Sequence, residues 1–176
     1  RVTEEETINH FIDAAHATRN HIESNLSMGL PNSPMHRSKL RICSGNFITA
    51  QPLGVVDGID FEFTGTVRNV DRVSIRQQLE LGSIILQSPL GHSSTGETFN
   101  LSLQDVAVSI SREINADKLI FYDVEDGLKV EGELVRQCRT GELAELESIQ
   151  ISQRWLAEAV RYACDGGVSR CHIISS

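Results

Sequence analysis

Apolar side chains in the first part of the chain follow a helical period. Ile8, Phe11, Ile12, Ala15, Ile22 and Leu26 recur at intervals of three, four and seven, which sets them on one stripe of a helix. Thr3 and Glu6 precede that stripe with T-x-x-E spacing, which predicts a capping box for the otherwise unpaired backbone N–H groups of the first turn. Gly29, Pro31 and Pro34 then end the helix.

The period shortens after residue 39. Residues 40–43 and 47–50 are short apolar runs separated by Ser44-Gly45-Asn46. Residues 51–60 carry Pro52, Gly54 and Gly58 and read as a loop. Phe61 and Phe63 flank Glu62, the alternation of a half-buried strand, with a possible continuation at Thr66-Val67. Helices and strands then alternate. Residues 71–81 read as a helix with Ile75 and Leu79 inward and Gly82 after its end. Residues 84–86 form a strand stopped by Pro89, and residues 89–100 read as a loop. Ser102 and Asp105 resemble a second cap, ahead of Val106, Ile110 and Ile114. Residues 119–122 are the next strand, 123–150 show weak periodicity, 154–164 form a helix stopped by Gly166-Gly167, and 171–174 form a last strand.

Strands separated by helices pair in parallel through right-handed crossovers. Continuous apolar strands fit a sheet covered on both faces. The expected fold is therefore α/β, with a mostly parallel sheet between helices. No internal repeat of fixed period and no low-complexity tract interrupts it.

Length and charge narrow the function. The 176 residues suit one domain. With 16 Lys+Arg against 24 Asp+Glu, the net charge of −8 repels phosphate backbones. Only Arg37, Lys39 and Arg41 approach a basic cluster, and they suit a solvated strand edge, so no nucleic-acid partner is expected. No apolar run reaches the ~20 residues that span a bilayer, and no secretory leader is visible. Cys43, Cys138, Cys164 and Cys171 are too sparse for a disulfide framework and read as reduced thiols of a cytoplasmic protein. The chain starts at Arg1 rather than Met, and its last strand ends two residues before Ser176. It is expected to be a piece of a longer protein, with exposed sheet edges where the missing part would pair.

Two loops are candidates for ligand contact, because ligands of open parallel sheets sit beyond the carboxyl ends of strands. In residues 89–100, Gly91 and Gly96 would let backbone approach an anion, and the helix start at Ser102 would offer N–H donors. The segment lacks the G-K-[ST] ending of a P-loop, so a plain connection rich in small polar residues is the competing reading. The second loop is Asp123-Val124-Glu125-Asp126-Gly127, where acidic groups could face a metal–phosphate complex or a ribose; a turn explains the same residues and is favoured. Cys164, Cys171 and His172 lack zinc-site spacing. Cys171 and His172 are adjacent on a strand and point to opposite faces. His10, His16 and His21 lie on the first helix without a partner pattern, no G-x-S-x-G elbow is present, and Trp155 reads as a packing residue. No catalytic residue and no metal ligand is assigned.

Four stretches resemble the amino-acid-kinase-like domain of the bacterial N-acetylglutamate synthases. They are Arg1-Val2-Thr3; Ser44-Gly45-Asn46-Phe47 with Ala50-Gln51-Pro52-Leu53-Gly54-Val55, Asp57-Gly58, Asp60, Thr64-Gly65 and Val67-Arg68; Thr95-Gly96-Glu97-Thr98-Phe99-Asn100-Leu101; and Val168 with Arg170-Cys171-His172-Ile173-Ile174-Ser175. The resemblance spans nearly the whole chain and is weakest at 123–150. It implies an amino-acid-kinase-like α/β fold with an antiparallel hairpin region, of which residues 1–176 would be an incomplete regulatory domain.

The resemblance also implies a lost activity. The related kinases phosphorylate N-acetylglutamate with ATP. Arg1 matches the arginine that holds the substrate carboxylate, and Asn100 matches the first asparagine of an N-x-N-x-D-like motif. Ser102 replaces the second asparagine and Gln104 the aspartate, while Trp155 aligns with a lysine that neutralises the phosphoryl transition state. Losing that charge removes the main stabilisation of phosphoryl transfer. Arg1, Asn100 and Ser102 would then be relics of the kinase substrate site. The synthase likeness implies a module that senses L-arginine and builds a homo-oligomer, with no cofactor of its own and with acetyl-CoA as the substrate of a following acetyltransferase domain. The alternative is an active N-acetylglutamate kinase or related amino-acid kinase.

Overall fold

The computed structural model describes residues 2–28, 40–124, 127–145 and 153–175. Arg1, Gly29, Pro31, Pro34, Arg37, Lys39, Glu125 and Asp126, all singled out by the sequence, lie outside the described residues. The chain divides into two compact units, Arg1–Leu103 and Gln104–Ser176.

The first unit opens with α1 (Glu5–Ser27), whose Ile8 is buried while Ile12, Ala15, Ile22 and Leu26 are half-buried. Phe11 does not join them: it is exposed. The expected capping box does not form either. Glu4 takes the N-cap position without a side-chain bond, and Thr3 is turned into the protein. β1 (Arg41–Cys43), β2 (Ile48–Pro52), β3 (Val55–Val56), β4 (Ile59–Asp60) and β5 (Gly65–Val70) follow. The loop expected at 51–60 is largely a hairpin, β3 against β4, turning at Asp57-Gly58 with φ of 52° and 78°. Two successive positive φ values make the primed turn that matches strand twist. The strand expected at Phe61–Phe63 does not form a ladder. Glu62 has φ 46°, held by its N–H donating to Asp60 Oδ1, and only single bridges join Glu62 to Thr3 and Thr64 to Asn100.

α2 (Arg72–Glu80) starts on Asp71, whose carboxylate accepts from Ser74 N–H at 3.0 Å and Ser74 Oγ at 2.6 Å. Those bonds hold the Asp71 carboxyl below its ordinary pKa. Ile75 is buried as expected, but Leu79 is exposed. α2 packs on β6 (Ser83–Ile85), which pairs in parallel with β1. β7 (Leu90–His92) and β8 (Thr98–Asn100) complete a four-stranded sheet in the order β5-β2-β7-β8, antiparallel except for the β2–β7 contact.

The second unit holds most of α3 (Leu103–Glu113), then β9 (Lys118–Asp123), β10 (Lys129–Val130), β11 (Glu133–Leu134), α4 (Thr140–Glu145), α5 (Arg154–Asp165) and β12 (Arg170–Ser175). β12 lies parallel to β9 in a six-residue register, as the strand–helix–strand pattern predicts. α5 buries Leu156, Ala157, Ala159, Val160 and Ala163, one continuous helical face. Leu119, Phe121, Cys171 and Ile173 pack on the clusters this face forms with Val108, Leu128, Leu143 and Val168. The opposite side of the two strands is bare: Ile120, Tyr122, His172 and Ile174 are exposed. Among the described residues of 123–150, Lys129–Val130 pairs with Glu133–Leu134 in the β10–β11 hairpin, and Thr140–Glu145 forms α4.

Candidate functional site

Asn100 marks the site that the family pattern singles out. It ends β8 beside Thr64, and Thr3 enters the same place ahead of α1. Thr3 is 2% exposed. Its Oγ1 accepts from Thr64 Oγ1 at 2.9 Å and from Asn100 Nδ2 at 3.1 Å. Its carbonyl accepts from Phe63 N–H, and the Phe63 carbonyl accepts from Asn100 N–H. Three distant segments are thus joined by side-chain and backbone bonds. This explains the failed cap: the Thr3 hydroxyl is committed to Thr64 and Asn100. It also fixes the Asn100 amide, whose N–H₂ donates inward.

Ser102 is exposed, immediately before α3. Gln104 is half-buried in the first turn of α3. Trp155 is 41% exposed on α5, so the packing role read from the sequence is corrected. Its helix turns the alanine and leucine face inward instead. The sequence placed Arg1 with these residues, and it lies outside the described part.

The stretch 89–100, read as an anion-facing loop, is the β7–β8 hairpin. Gly91 lies inside the sheet. A Cβ there would come within 2.8 Å of Ala50 Cβ and of Leu101 Cδ1, so the missing side chain makes room for the protein's own core. Gly96 sits in the turn with φ 90°, a conformation that glycine adopts freely. Around it, Ser93 Oγ accepts from Thr95 and Glu97 N–H groups, and Thr95 Oγ1 donates to Glu97 Oε2 at 2.9 Å. The carboxylate of Glu97 therefore covers the turn, which opposes an anion.

A cavity of about 330 Å³ opens elsewhere in the first unit, along α1 and the β7–β8 hairpin. Polar groups from His16, Arg19, Asn46, Gln87, His92 and Thr98 line it. Gln87 Oε1 is buried there without a hydrogen-bond partner, while its Nε2 donates to the carbonyls of Ser88 and Leu90. In the second unit, the acidic turn after β9 shows Asp123 Oδ1 accepting from Val124 N–H, and Gly127 at φ 141°. Among the described residues, no three His, Cys, Asp or Glu side chains are arranged to hold a metal ion. No helix among them is long and apolar enough to cross a membrane.

The sequence reading gave Thr3 a capping role and placed Thr3 and Thr64 in matching stretches, but assigned neither them nor Gln153 a role at the site. Gln153 is 3% exposed; its Nε2 donates to the Gly127 carbonyl and its Oε1 accepts from Lys129 N–H, both at 2.9 Å. A glutamine just before a strongly amphipathic helix was the available signal.

Known proteins match this architecture over its length. An amino-acid acetyltransferase of Ectopseudomonas mendocina (strain ymp) is 48% identical over 99% of the chain, and one of Pseudomonas putida (strain GB-1) is 46% identical over the same share. The chain spans 41% of the length of each. Among solved structures, N-acetylglutamate synthase from Neisseria gonorrhoeae complexed with coenzyme A and L-arginine superposes with a TM-score of 0.92 at 34% identity, covering 99% of this chain and 42% of that one. The same enzyme complexed with coenzyme A and N-acetyl-glutamate gives 0.89 at 32%, covering 99% and 40%. The model of the amino acid kinase family matches residues 2–175, and the chain belongs to that family.

Proposed function

We propose that this chain is the kinase-like regulatory module of an N-acetylglutamate synthase. In the longer protein it senses L-arginine and builds a homo-oligomer, while a following domain transfers acetyl from acetyl-CoA to L-glutamate. The observation that carries this reading is the 99% coverage by the synthase solved with coenzyme A and L-arginine, at a TM-score of 0.92. The amino-acid acetyltransferases at 46–48% identity support the same enzyme class. The residue types at the aligned positions support an inactive kinase centre. Asn100 donates to Thr3, and the positions that align with charged kinase residues are the neutral Gln104 and Trp155. Neither side chain can neutralise a transferring phosphoryl group. The protein is expected to work in the cytoplasm.

Arginine sensing requires two states that differ in arginine affinity, with the acetyltransferase reading the population. The test is acetyl transfer from acetyl-CoA to glutamate by the chain extended through its downstream domain, titrated with arginine. A change in rate with arginine is expected. Absence of acetyl transfer would reject the enzyme assignment; transfer insensitive to arginine would reject the regulatory role.

A further inference from the structure

Three of the four cysteines gather in the second unit. Cys164 lies in the last turn of α5, and Cys171 is the second residue of β12. Cys138 packs with Cys171 against the Leu156 cluster, and burial, with Glu142 and Cys164 nearby, raises its pKa. The Sγ atoms of Cys164 and Cys171 are 3.5 Å apart, and Cys171 Sγ also approaches the Val160 carbonyl at 3.9 Å. The connection between them is fixed. Gly166 N–H donates to the Tyr162 and Ala163 carbonyls, Gly167 N–H to Cys164, and Val168 N–H to Ala163, while Gly167 takes φ 105°. This capped turn holds the two thiols facing each other.

The geometry points to a modification site: Cys164 and Cys171 form a reversible disulfide when the protein meets a peroxide. An S–S bond of about 2.05 Å needs the sulfurs to approach by roughly 1.5 Å from their 3.5 Å separation. Cys171 is the resolving partner. Burial, with the neighbouring Cys164 thiol, pushes its pKa up to about 12, so its proton leaves only as the S–S bond forms. The Cys164 thiolate attacks one peroxide oxygen and the O–O bond breaks, giving a sulfenic acid and hydroxide, which takes up a proton to become water. The Cys171 sulfur then attacks the Cys164 sulfur. The S–O bond breaks, and the hydroxyl leaves with the Cys171 proton as a second water. Two thiols are oxidised to one disulfide and one peroxide is reduced to two waters.

The experiment treats the chain with hydrogen peroxide under native conditions, alkylates the remaining thiols, and maps the peptides. The expected product has lost two hydrogens and carries one Cys164–Cys171 bridge, which dithiothreitol reopens. Cys43→Ser should leave the bridge intact, and Cys164→Ser should abolish it. The bridged chain should melt about 5 °C higher, because the cross-link restricts the unfolded state. A bridge through Cys138 or Cys43 would overturn the proposal. So would over-oxidation of Cys164 beside a free Cys171, or a bridged form that melts below the reduced one. Mapping the unmodified sequence does not depend on whether the serine variants fold.

Discussion

The two units hold themselves together by different means. In Arg1–Leu103, short strands and a long helix are tied by polar bonds between distant segments: Thr3 to Thr64 and Asn100, Ser44 Oγ to Glu23, and Asp71 N–H to Phe47. Glycines 65 and 91 let the sheet close around Phe99 and Leu101. In Gln104–Ser176, one amphipathic helix does most of the work, laying Leu156, Val160 and Ala163 on the β9–β12 pair. Its buried polar staple is Gln153. On the proposed reading, a site inherited from a ligand-binding enzyme would account for the first style, with polar residues once placed for a substrate now serving as internal links. The second is ordinary hydrophobic assembly.

The contrast can be broken where it is sharpest. Leu156→Ala empties a fully buried position and should cost about 3 kcal/mol, read by urea unfolding, with amide protection lost in β9 and β12. A loss below about 1 kcal/mol would mean that α5 does not carry the second unit. Gly91→Ala overpacks the first unit against Ala50 and Leu101 and should cost about 2 kcal/mol, seen as a lower midpoint with β2 and β7 amides exchanging faster. Thr3→Val keeps the shape but removes the acceptor shared by Thr64 and Asn100. It should cost about 1 kcal/mol, and the Asn100 side-chain amide should shift in the NMR spectrum.

The smallest effect is a pH dependence confined to the second unit. Cys171 binds its proton more tightly when folded than when unfolded. Its stabilising contribution is therefore complete below the ordinary thiol pKa near 9 and fades as pH rises toward about 12. The urea midpoint should fall over that window, and Cys171→Ala should flatten the fall.

Much of the fold was legible because its signals are local. Ile75 and the Asp71 cap place α2, Gly166-Gly167 end α5, and the strand–helix–strand order gives the parallel β9–β12 pair. Errors arose where distant partners decide. The Thr3-x-x-Glu6 spacing is a sound cap in isolation, but Thr64 and Asn100 claim the hydroxyl. Leu79 and Phe11 have the right period for burial, yet they are exposed. Asp57-Gly58 carried a hairpin signal that the nearby Pro52 and Gly54 obscured, and the β7–β8 hairpin was hidden by small polar residues that resemble a ligand loop. Of the candidate site, the pattern marked Asn100 but not the hydroxyls that hold it, because no local rule links residues 3, 64 and 100.

Everything functional depends on the kinase centre having lost its chemistry. The most direct measurement is ADP release by the intact polypeptide supplied with ATP and N-acetylglutamate. No release above the rate without the acylated amino acid is the expected result. Release that depends on N-acetylglutamate would mean that Gln104 and Trp155 do not disable phosphoryl transfer, and the regulatory account would fall.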